Sequence, residues 1–205
     1  MSLSQSLIDL KETFIELYDE WFQNKKYWFD KKPEYDKYLS DKYFHSIKHI
    51  RSYNDELINE NKYVQIGAII ALDQIPRHHH RIIEVDEVDV NHYSKVATDI
   101  SASFISRVLN DSNYKITAHE WCFIFLPIRH TCDMSKIEMI IKFIISKHNN
   151  PNTSEEDKQI YKRFLENTIR KCYQNTTKLA IETQQNIHKI SVNKHDQWFK
   201  YVNVL

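Results

Sequence analysis

The sequence predicts an all-α fold, and its composition and patterning both support that prediction. The 205 residues include one glycine and four prolines, which leaves little material for tight hairpins or glycine-rich phosphate loops. Apolar residues recur at steps of three and four, as they do on the buried face of a helix. Polar turns separate these stretches. We therefore expect about seven to eight helices in a single domain of residues 1–205.

The N-terminal half contains three of the predicted helices. Residues 4–24 carry an apolar stripe at helical spacing, and a second such segment follows Pro33. The third, residues 54–74, is apolar on most sides near IGAIIAL, which is typical of a central buried helix. Pro76 is expected to end it, because the proline ring clashes with the preceding turn and proline lacks an N–H.

The C-terminal half begins with an acidic stretch, IIEVDEVDVN at 82–91. Its alternation would allow a short strand, but no partner strand is apparent, and we interpret it as an irregular connector. Thr153 and Glu156 form a capping-box pattern at the start of a later helix. The predicted helices of this half are 92–110, 116–126, 134–148 and 155–180, followed by a short segment with Trp198, Phe199 and Tyr201.

The charge balance, the spacing of the cysteines and the hydropathy of the sequence each disfavour particular classes of protein. Lys plus Arg and Asp plus Glu both number 28, whereas a sequence-independent nucleic-acid binder needs an excess of cations to displace counterions. Three cysteines without CxxC spacing favour reduced thiols. The N-terminus has charges every few residues, and no apolar run reaches membrane-spanning length. We therefore expect a cytoplasmic protein with neither a membrane nor a nucleic acid as its main partner.

The stretch ALDQIPRHHHR at 71–81 is the first candidate site. An apolar helix ends there in an acid and an amide, and buried Asp73 and Gln74 would need hydrogen-bond partners. Arg77 and Arg81 would offer forked donors to a carboxylate or a phosphate. The competing interpretation is structural, because basic side chains also interact favourably with the exposed carbonyls at a helix C-terminus.

The run His78-His79-His80 raises the question of a metal. Consecutive side chains diverge, so at most two of them would converge on one ion, and zinc would need ligands from elsewhere. His45 and His49 share a face of a predicted helix. Neither set has matching cysteines or carboxylates at diagnostic spacing. We therefore predict no metal and no cofactor.

The stretch HEWCFIFLPIRHTCDMSKIE at 119–138 repeats the order of apolar helix, proline and polar cluster. Glu120 begins the predicted helix and Pro127 closes it. His130, just beyond, is the best candidate for a general acid/base, because unperturbed histidine titrates near neutral pH. The order of elements therefore predicts a second polar cluster after a second apolar helix.

The residues after His130 also have a structural interpretation. Thr131 or Asp133 would cap the following helix, with Ser135 and Glu138 as a competing capping box. The sequence contains no nucleophile elbow, P-loop, HExxH or dinucleotide fingerprint. No reaction class therefore follows from a motif.

These pieces, in this order, resemble a family of mostly bacterial helical proteins catalogued as domain of unknown function nine-two-four. The matching elements are EWFQNKKYWFDKKPEYDKYLSDKYF, GAIIALDQIPRHHHR, ATDISA and EWCFIFLPIRHTCDMSKIE. The resemblance covers residues 14–146, and its most specific part is the LDQ-x-PR block followed at a distance by a P-x-x-H block. It implies tetratricopeptide-like antiparallel helical hairpins around a central groove.

The resemblance also carries residues over by position. His78 stands where the family usually has Asn, and Arg129 and Cys132 each replace an acid. The family's C-terminal RFGRFPHRN segment keeps only scattered basic residues here, so residues 153–205 are expected to form divergent helices. The positions that match the polar residues of the motifs are Asp73, Gln74, Arg77, Arg81, Glu120, His130 and Asp133.

The first functional hypothesis is a site for a small molecule that bears phosphate or carboxylate. The two polar clusters would face each other across the groove, and His130 would move a proton in a hydrolysis or transfer reaction. The candidate catalytic residues are Asp73, Glu120 and His130, and the candidate ligand-binding residues are Gln74, Arg77, Arg81 and Asp133.

Two alternatives come from other classes of protein. Tetratricopeptide-like folds often bind peptides on their concave face, so the chain would instead be a non-catalytic scaffold for a protein partner. RNA binding would use Arg77, Arg81 and the basic residues of 158–178, and the balanced charge disfavours it.

Overall fold

The structure is a computed structural model that describes residues 3–28, 32–50, 61–83, 89–111 and 113–173. Within these ranges the regular elements are all helical and there is no strand, which confirms the all-α prediction. The tetratricopeptide-like arrangement stays a prediction. The aromatic segment at 198–201, the middle of the acidic connector and the end of the helix predicted at 155–180 lie outside the described residues.

Within the described ranges the helices are 3 to 21 residues long. A 3₁₀ turn at Lys25–Tyr27 follows the first of them, and a π-helical segment at Ser40–Phe44 joins the second to the third. In chain order they are α1 (Leu3–Gln23), α2 (Pro33–Leu39), α3 (His45–Ile47), α4 (Lys62–Asp73), α5 (Ile75–His80), α6 (Val90–Asn110), α7 (Ala118–Thr131), α8 (Met134–His148) and α9 (Glu155–Tyr173).

The chain divides into two compact units. The first comprises Met1–Ile116 with Phe123–His130, and the second comprises Thr117–Cys122 with Thr131–Leu205. The continuous helix α7 therefore contributes residues to both. The prediction that the chain forms a single domain stays a prediction. None of the described helices combines the length and the apolar character that crossing a lipid bilayer requires.

Helix α4 is the central element of the first unit. Asn61 caps its N-terminus, since Asn61 Oδ1 accepts hydrogen bonds from the backbone N–H groups of Tyr63 (3.0 Å) and Val64 (3.2 Å). Every residue from Val64 to Asp73 is buried, as the IGAIIAL run predicts. The helix packs against both α1 and α6. Its C-terminal residue is consequently delivered into the interior.

The chain's single glycine lies where α1 crosses α4. A Cβ atom on Gly67 would overlap the carbonyl oxygen of Phe14 and lie 2.7 Å from the carbonyl carbon of Phe14. A glycine in mid-helix normally costs stability. Here it lets the two backbones approach more closely than any side chain would allow.

The two prolines differ in how they act. Helix α4 ends at Asp73, within one residue of the predicted end and shortly before Pro76, as predicted. Pro76 itself lies in the first turn of α5, where its missing N–H forfeits no hydrogen bond of that helix. Pro127 lies inside α7, so the prediction that it closes a helix at 126 is wrong. The residues on both sides of Pro127 are buried, and this packing offsets the roughly 3 kcal/mol that an internal proline costs.

The capping box predicted at Thr153 and Glu156 is also wrong by one residue. Helix α9 begins at Glu155, and Ser154 Oγ accepts a hydrogen bond from the backbone N–H of Asp157 (3.1 Å). The hydroxyl of Thr153 donates instead to the carbonyl of Lys147 (2.7 Å). The pattern TSEED offers two hydroxyls in succession, and only the backbone geometry decides which one caps.

The crossing of α1 and α4 makes a sharp prediction for Gly67→Ala. We expect a loss of about 2–3 kcal/mol in the free energy of unfolding, because the new methyl group meets rigid backbone. This loss outweighs the gain of about 1 kcal/mol in helix propensity. Urea unfolding followed by circular dichroism measures it. Ala102→Gly, at an exposed position of α6, calibrates the propensity contribution, and a Gly67→Ala protein as stable as the wild type would refute the close crossing.

Candidate functional site

The first polar cluster is built at the joint between α4 and α5. Asp73 is the last residue of α4 and its side chain is 1% exposed. Gln74, at the break between the two helices, donates from Nε2 to Asp73 Oδ2 over 2.5 Å. The buried carboxylate therefore receives its first hydrogen bond from the next residue in the chain.

Three further donors reach the other oxygen of Asp73. Asp73 Oδ1 lies 2.8 Å from His130 Nδ1, 3.2 Å from Ser94 Oγ and 3.3 Å from Arg77 Nη2. Arg77 Nη2 also donates to Ser94 Oγ over 2.6 Å. Helices α5, α6 and α7 each contribute one of these residues. We call Asp73, Gln74, Arg77, Ser94 and His130 the Asp73 cluster.

The Asp73 cluster keeps a buried carboxylate ionised. Burial raises the pKa of Asp73, but the charge and hydrogen bond of His130, together with Arg77 and Gln74, lower it by more, so the pKa lies below its ordinary value of 3.8. A buried charge is tolerated when it is paired and its oxygens accept hydrogen bonds. Asp73 meets both conditions.

The ionised carboxylate determines how the imidazole of His130 is used. Because an ionised Asp73 can only accept, Nδ1 of His130 carries the hydrogen and donates it. The lone pair or the exchangeable proton is then on Nε2. The side chain of His130 is 11% exposed. This is the arrangement by which a buried carboxylate orients a histidine for proton transfer.

A second buried carboxylate lies on α2. Asp36 is 3% exposed. Arg81 donates two hydrogen bonds to it, from Nε to Oδ2 at 2.7 Å and from Nη2 to Oδ1 at 2.6 Å. This two-point geometry is the strongest form of an arginine–carboxylate pair. His78 Nδ1 lies 2.6 Å from the same Oδ1. We call Asp36, His78 and Arg81 the Asp36 cluster.

The electrostatics of the Asp36 cluster differ from those of the Asp73 cluster. Burial lowers the pKa of His78 and the charge of Arg81 lowers it further, which outweighs the attraction of Asp36. Burial raises the pKa of Asp36, but hydrogen bonds from Arg81 and His78 bring it below 3.8. His78 is therefore a neutral donor at neutral pH, and Arg81 supplies the positive charge.

The first two of the three consecutive histidines, His78 and His79, contact different partners. His78 binds Asp36, whereas His79 Nδ1 lies 2.5 Å from Ser40 Oγ and its ring stacks on Phe44 at 3.8 Å between centroids. In the described part of the chain, no three His, Cys, Asp or Glu side chains are placed to hold a metal ion. His78 therefore serves as a hydrogen-bonding group, and His79 as a hydrogen-bonding and stacking group.

Glu120, a predicted catalytic residue, lies in the second unit and caps α7. Thr117 N–H donates to Glu120 Oε2 (2.6 Å), and Glu120 N–H donates to Thr117 Oγ1 (3.2 Å). This reciprocal pair is a capping box with Thr117 as the N-cap, so α7 begins at Ala118 rather than at Glu120. A catalytic role for Glu120 stays a prediction.

Asp133, a predicted ligand-binding residue, caps α8. Its Oδ1 accepts from the backbone N–H groups of Ser135 (3.1 Å) and Lys136 (3.5 Å). Among the caps that the sequence allowed, namely Thr131, Asp133 or a Ser135–Glu138 box, the structure selects Asp133. The hydrogen bond from Ser135 lowers the pKa of Asp133. Its role toward a ligand stays a prediction.

Sequence reasoning missed two members of the clusters, Asp36 and Ser94. A signal for Asp36 was available, because it precedes Leu39 by three residues and Tyr43 by seven, which places a carboxylate on an apolar helical face. Such a carboxylate needs a partner. Ser94 gave no signal, since small hydroxyl residues are ordinary on the buried face of a helix.

The fold and the site together define an all-α protein with two buried carboxylate–histidine–arginine clusters in one helical unit. The family described as "Bacterial protein of unknown function (DUF924)" matches residues 17–191, and the chain belongs to that family. The match begins inside the range 14–146, on which the resemblance rests, and continues past its C-terminal end to residue 191. No curated protein and no solved structure matches the chain. The family description names no activity, so the function has to be argued from the site.

The lowered pKa of Asp73 predicts how stability depends on pH. Its carboxylate stabilises the folded state at pH values above the ordinary 3.8, and this contribution is lost as the pH falls through the lower pKa of the folded state. We therefore expect Asp73→Asn to cost about 2–4 kcal/mol near neutral pH and much less in acid. Urea unfolding from pH 7 down to about pH 2, which extends well below 3.8, measures the difference. Asp99→Asn, at an exposed position of α6, should cost less than about 0.5 kcal/mol throughout, and a pH-independent loss in Asp73→Asn would contradict the assignment.

The Asp36 cluster predicts a contrast between two acids of neighbouring turns. Asp36→Ala should lower the free energy of unfolding by about 2–3 kcal/mol, because it removes one partner of a buried ion pair. Renewed hydration of Arg81 recovers only part of that loss. Asp41, paired with Lys37 at the surface at 2.9 Å, is the matched control, and Asp41→Ala should cost less than about 0.5 kcal/mol. Equal losses in the two variants would show that the Asp36 cluster does not hold α2 in place.

Proposed function

We propose that the protein binds a small anionic molecule, bearing phosphate or carboxylate, and that His130 transfers a proton to or from it. The observation that carries this proposal is the buried carboxylate of Asp73, which accepts hydrogen bonds from His130 and from Arg77 at the same oxygen. One residue thus holds both the proton-transfer group and a cationic group in fixed positions.

His130 is suited to act as a general acid/base. With Nδ1 bound to Asp73, the ring is held in one orientation and Nε2 is the nitrogen that exchanges the proton. The negative charge of Asp73 stabilises the imidazolium that forms when Nε2 takes a proton. In a hydrolysis, Nε2 would remove a proton from the attacking water and then return it to the leaving group.

Arg77 is the better supported of the two predicted anion-binding arginines. Its Nη2 is fixed by Asp73 and Ser94, its side chain is 28% exposed, and its buried Nε has no hydrogen-bond partner among the described residues. A buried donor without a partner is costly, and an oxygen of a bound anion would satisfy it. Arg81, by contrast, already donates two hydrogen bonds to Asp36.

Ser94 is not assigned as a nucleophile. Its hydroxyl hydrogen is donated to Asp73 over 3.2 Å, and its oxygen accepts from Arg77 over 2.6 Å, so the hydrogen is directed at the carboxylate and not at His130. The proposed reaction therefore uses water or a second substrate as the attacking group. Gln74 fixes the second oxygen of Asp73, and the scaffold and RNA-binding alternatives stay predictions.

Binding is tested with inorganic phosphate as the probe. We expect phosphate to raise the melting temperature of the wild type above that in chloride of equal ionic strength, and the apparent Kd to weaken about 10- to 100-fold in Arg77→Gln, as the loss of charge-assisted hydrogen bonds implies. Phosphate also stabilises proteins in general. Arg163→Gln, at an exposed position of α9, is therefore the control, and an equal response in wild type and Arg77→Gln would refute the assignment of Arg77.

Catalysis is tested on a panel of p-nitrophenyl phosphates and carboxylate esters. His130→Gln retains an N–H donor for Asp73 but cannot exchange a proton, so kcat/KM should fall roughly 100- to 10,000-fold. His148→Gln, in the last turn of α8, controls for the loss of a histidine elsewhere. If the wild type and His130→Gln are equally inactive on every compound, the catalytic part of the proposal fails while phosphate binding is judged separately.

A further inference from the structure

Two cysteines that the proposed function does not use lie close together in the second unit. The sulfur atoms of Cys132 and Cys172 are 3.8 Å apart, although the residues are 40 positions apart in the chain. Cys132 lies in the turn between α7 and α8, and Cys172 lies in the last turn of α9. Both are thiols in this structure.

The distance between the two sulfurs is short enough for a bond. A disulfide requires a separation of about 2 Å, so closure needs an approach of roughly 2 Å, which is the scale of a side-chain rotation. Both residues belong to the same compact unit, in which α8 packs against α9.

The backbone conformation at Cys132 is not one that the conformational preference of cysteine explains. Cys132 has a φ of 51°, and among the described residues it alone combines a positive φ with a side chain. It follows the last residue of α7, a position where helices commonly end in the left-handed conformation and where glycine or asparagine is favoured. A cysteine gives up that preference, and strained positions of this kind are concentrated at functional sites.

The two thiols differ in their access to solvent. Cys132 is exposed, whereas Cys172 is 8% exposed. A dissolved oxidant therefore reaches Cys132 first, and Cys172 is positioned to respond to a change at Cys132. This difference in exposure sets the order of the two steps, with Cys132 reacting first and Cys172 second.

We propose that Cys132 and Cys172 form a reversible intramolecular disulfide when the protein meets a hydroperoxide. The Cys132 thiolate attacks the outer peroxide oxygen, the O–O bond breaks, and the products are a sulfenic acid on Cys132 and an alcohol, or water from hydrogen peroxide. The Cys172 sulfur then attacks the sulfenic sulfur, the S–O bond breaks, and the hydroxide leaves as water with the proton of the Cys172 thiol. Two electrons pass from the two sulfurs to the peroxide, and a dithiol returns them.

The bond would tie the α7–α8 turn to the end of α9. Closing a loop of this length restricts the unfolded chain, and we expect the melting temperature to rise by roughly 5–10 °C on oxidation. Dithiothreitol should reverse the shift.

The experiment is peroxide treatment of the full chain, alkylation of the remaining thiols, and tryptic mapping without reduction. We expect a linked pair made of HTCDMSK, which carries Cys132, and CYQNTTK, which carries Cys172. The intact mass should fall by about 2 Da, and dithiothreitol should restore it. Alkylation of all three cysteines after peroxide, or a link that involves Cys122, would overturn the proposal.

Serine variants separate the steps. In Cys172→Ser, dimedone should trap a sulfenic acid on Cys132, whereas in Cys132→Ser the Cys172 thiol should stay reduced. Cys122→Ser is the matched control and should form the disulfide to the same extent as the wild type. Because Cys172 is buried, circular dichroism checks that both variants keep the fold of the wild type. A dimedone adduct on Cys172 in Cys132→Ser would overturn the assignment of Cys132 as the attacking thiol.

Discussion

A carboxylate that is removed from water has to be surrounded by donors, and the first helical unit is organised around this requirement at Asp73. The donors come from the residue that follows α4 and from α5, α6 and α7. Each of these helices also has an apolar face that would pack without the charge. The charge fixes how far each helix is shifted along its neighbours, because the hydrogen bonds to the carboxylate form only at particular relative positions of the helices.

The short helix α5 connects the two buried carboxylates. Arg77 and His78 are neighbours in the sequence, yet Arg77 binds Asp73 and His78 binds Asp36. Successive residues of a helix point about 100° apart, so one turn can serve two sites on different faces. Arg81, one turn after Arg77, then binds Asp36 together with His78. A displacement of α5 would consequently disturb both clusters at once.

Much of the framework could be predicted from the sequence, because glycine content and apolar spacing report directly on helices. Pro127 misled the prediction, since a local rule about proline cannot include the tertiary packing that keeps α7 continuous. The site was predicted in part: Asp73 and His130 do meet, although they are 57 positions apart. Ser94 could not be predicted, because its role depends on which helix face meets Asp73, and single-sequence patterns do not contain that information.

The two clusters contain the same three types of residue, but their electrostatics suit them to different tasks. In the Asp36 cluster, Arg81 is the ion-pair partner of the carboxylate, and its charge together with burial keeps His78 neutral. His78 is 2% exposed, so a proton has little access to it, and the cluster is suited to fastening α2 to α5. In the Asp73 cluster, Arg77 contacts the carboxylate at 3.3 Å and His130 is nearer, at 2.8 Å. His130 is also the more exposed of the two histidines. The role proposed for His130 and the structural role of His78 thus differ with the arginine, which binds Asp36 through two short hydrogen bonds and Asp73 through one longer contact.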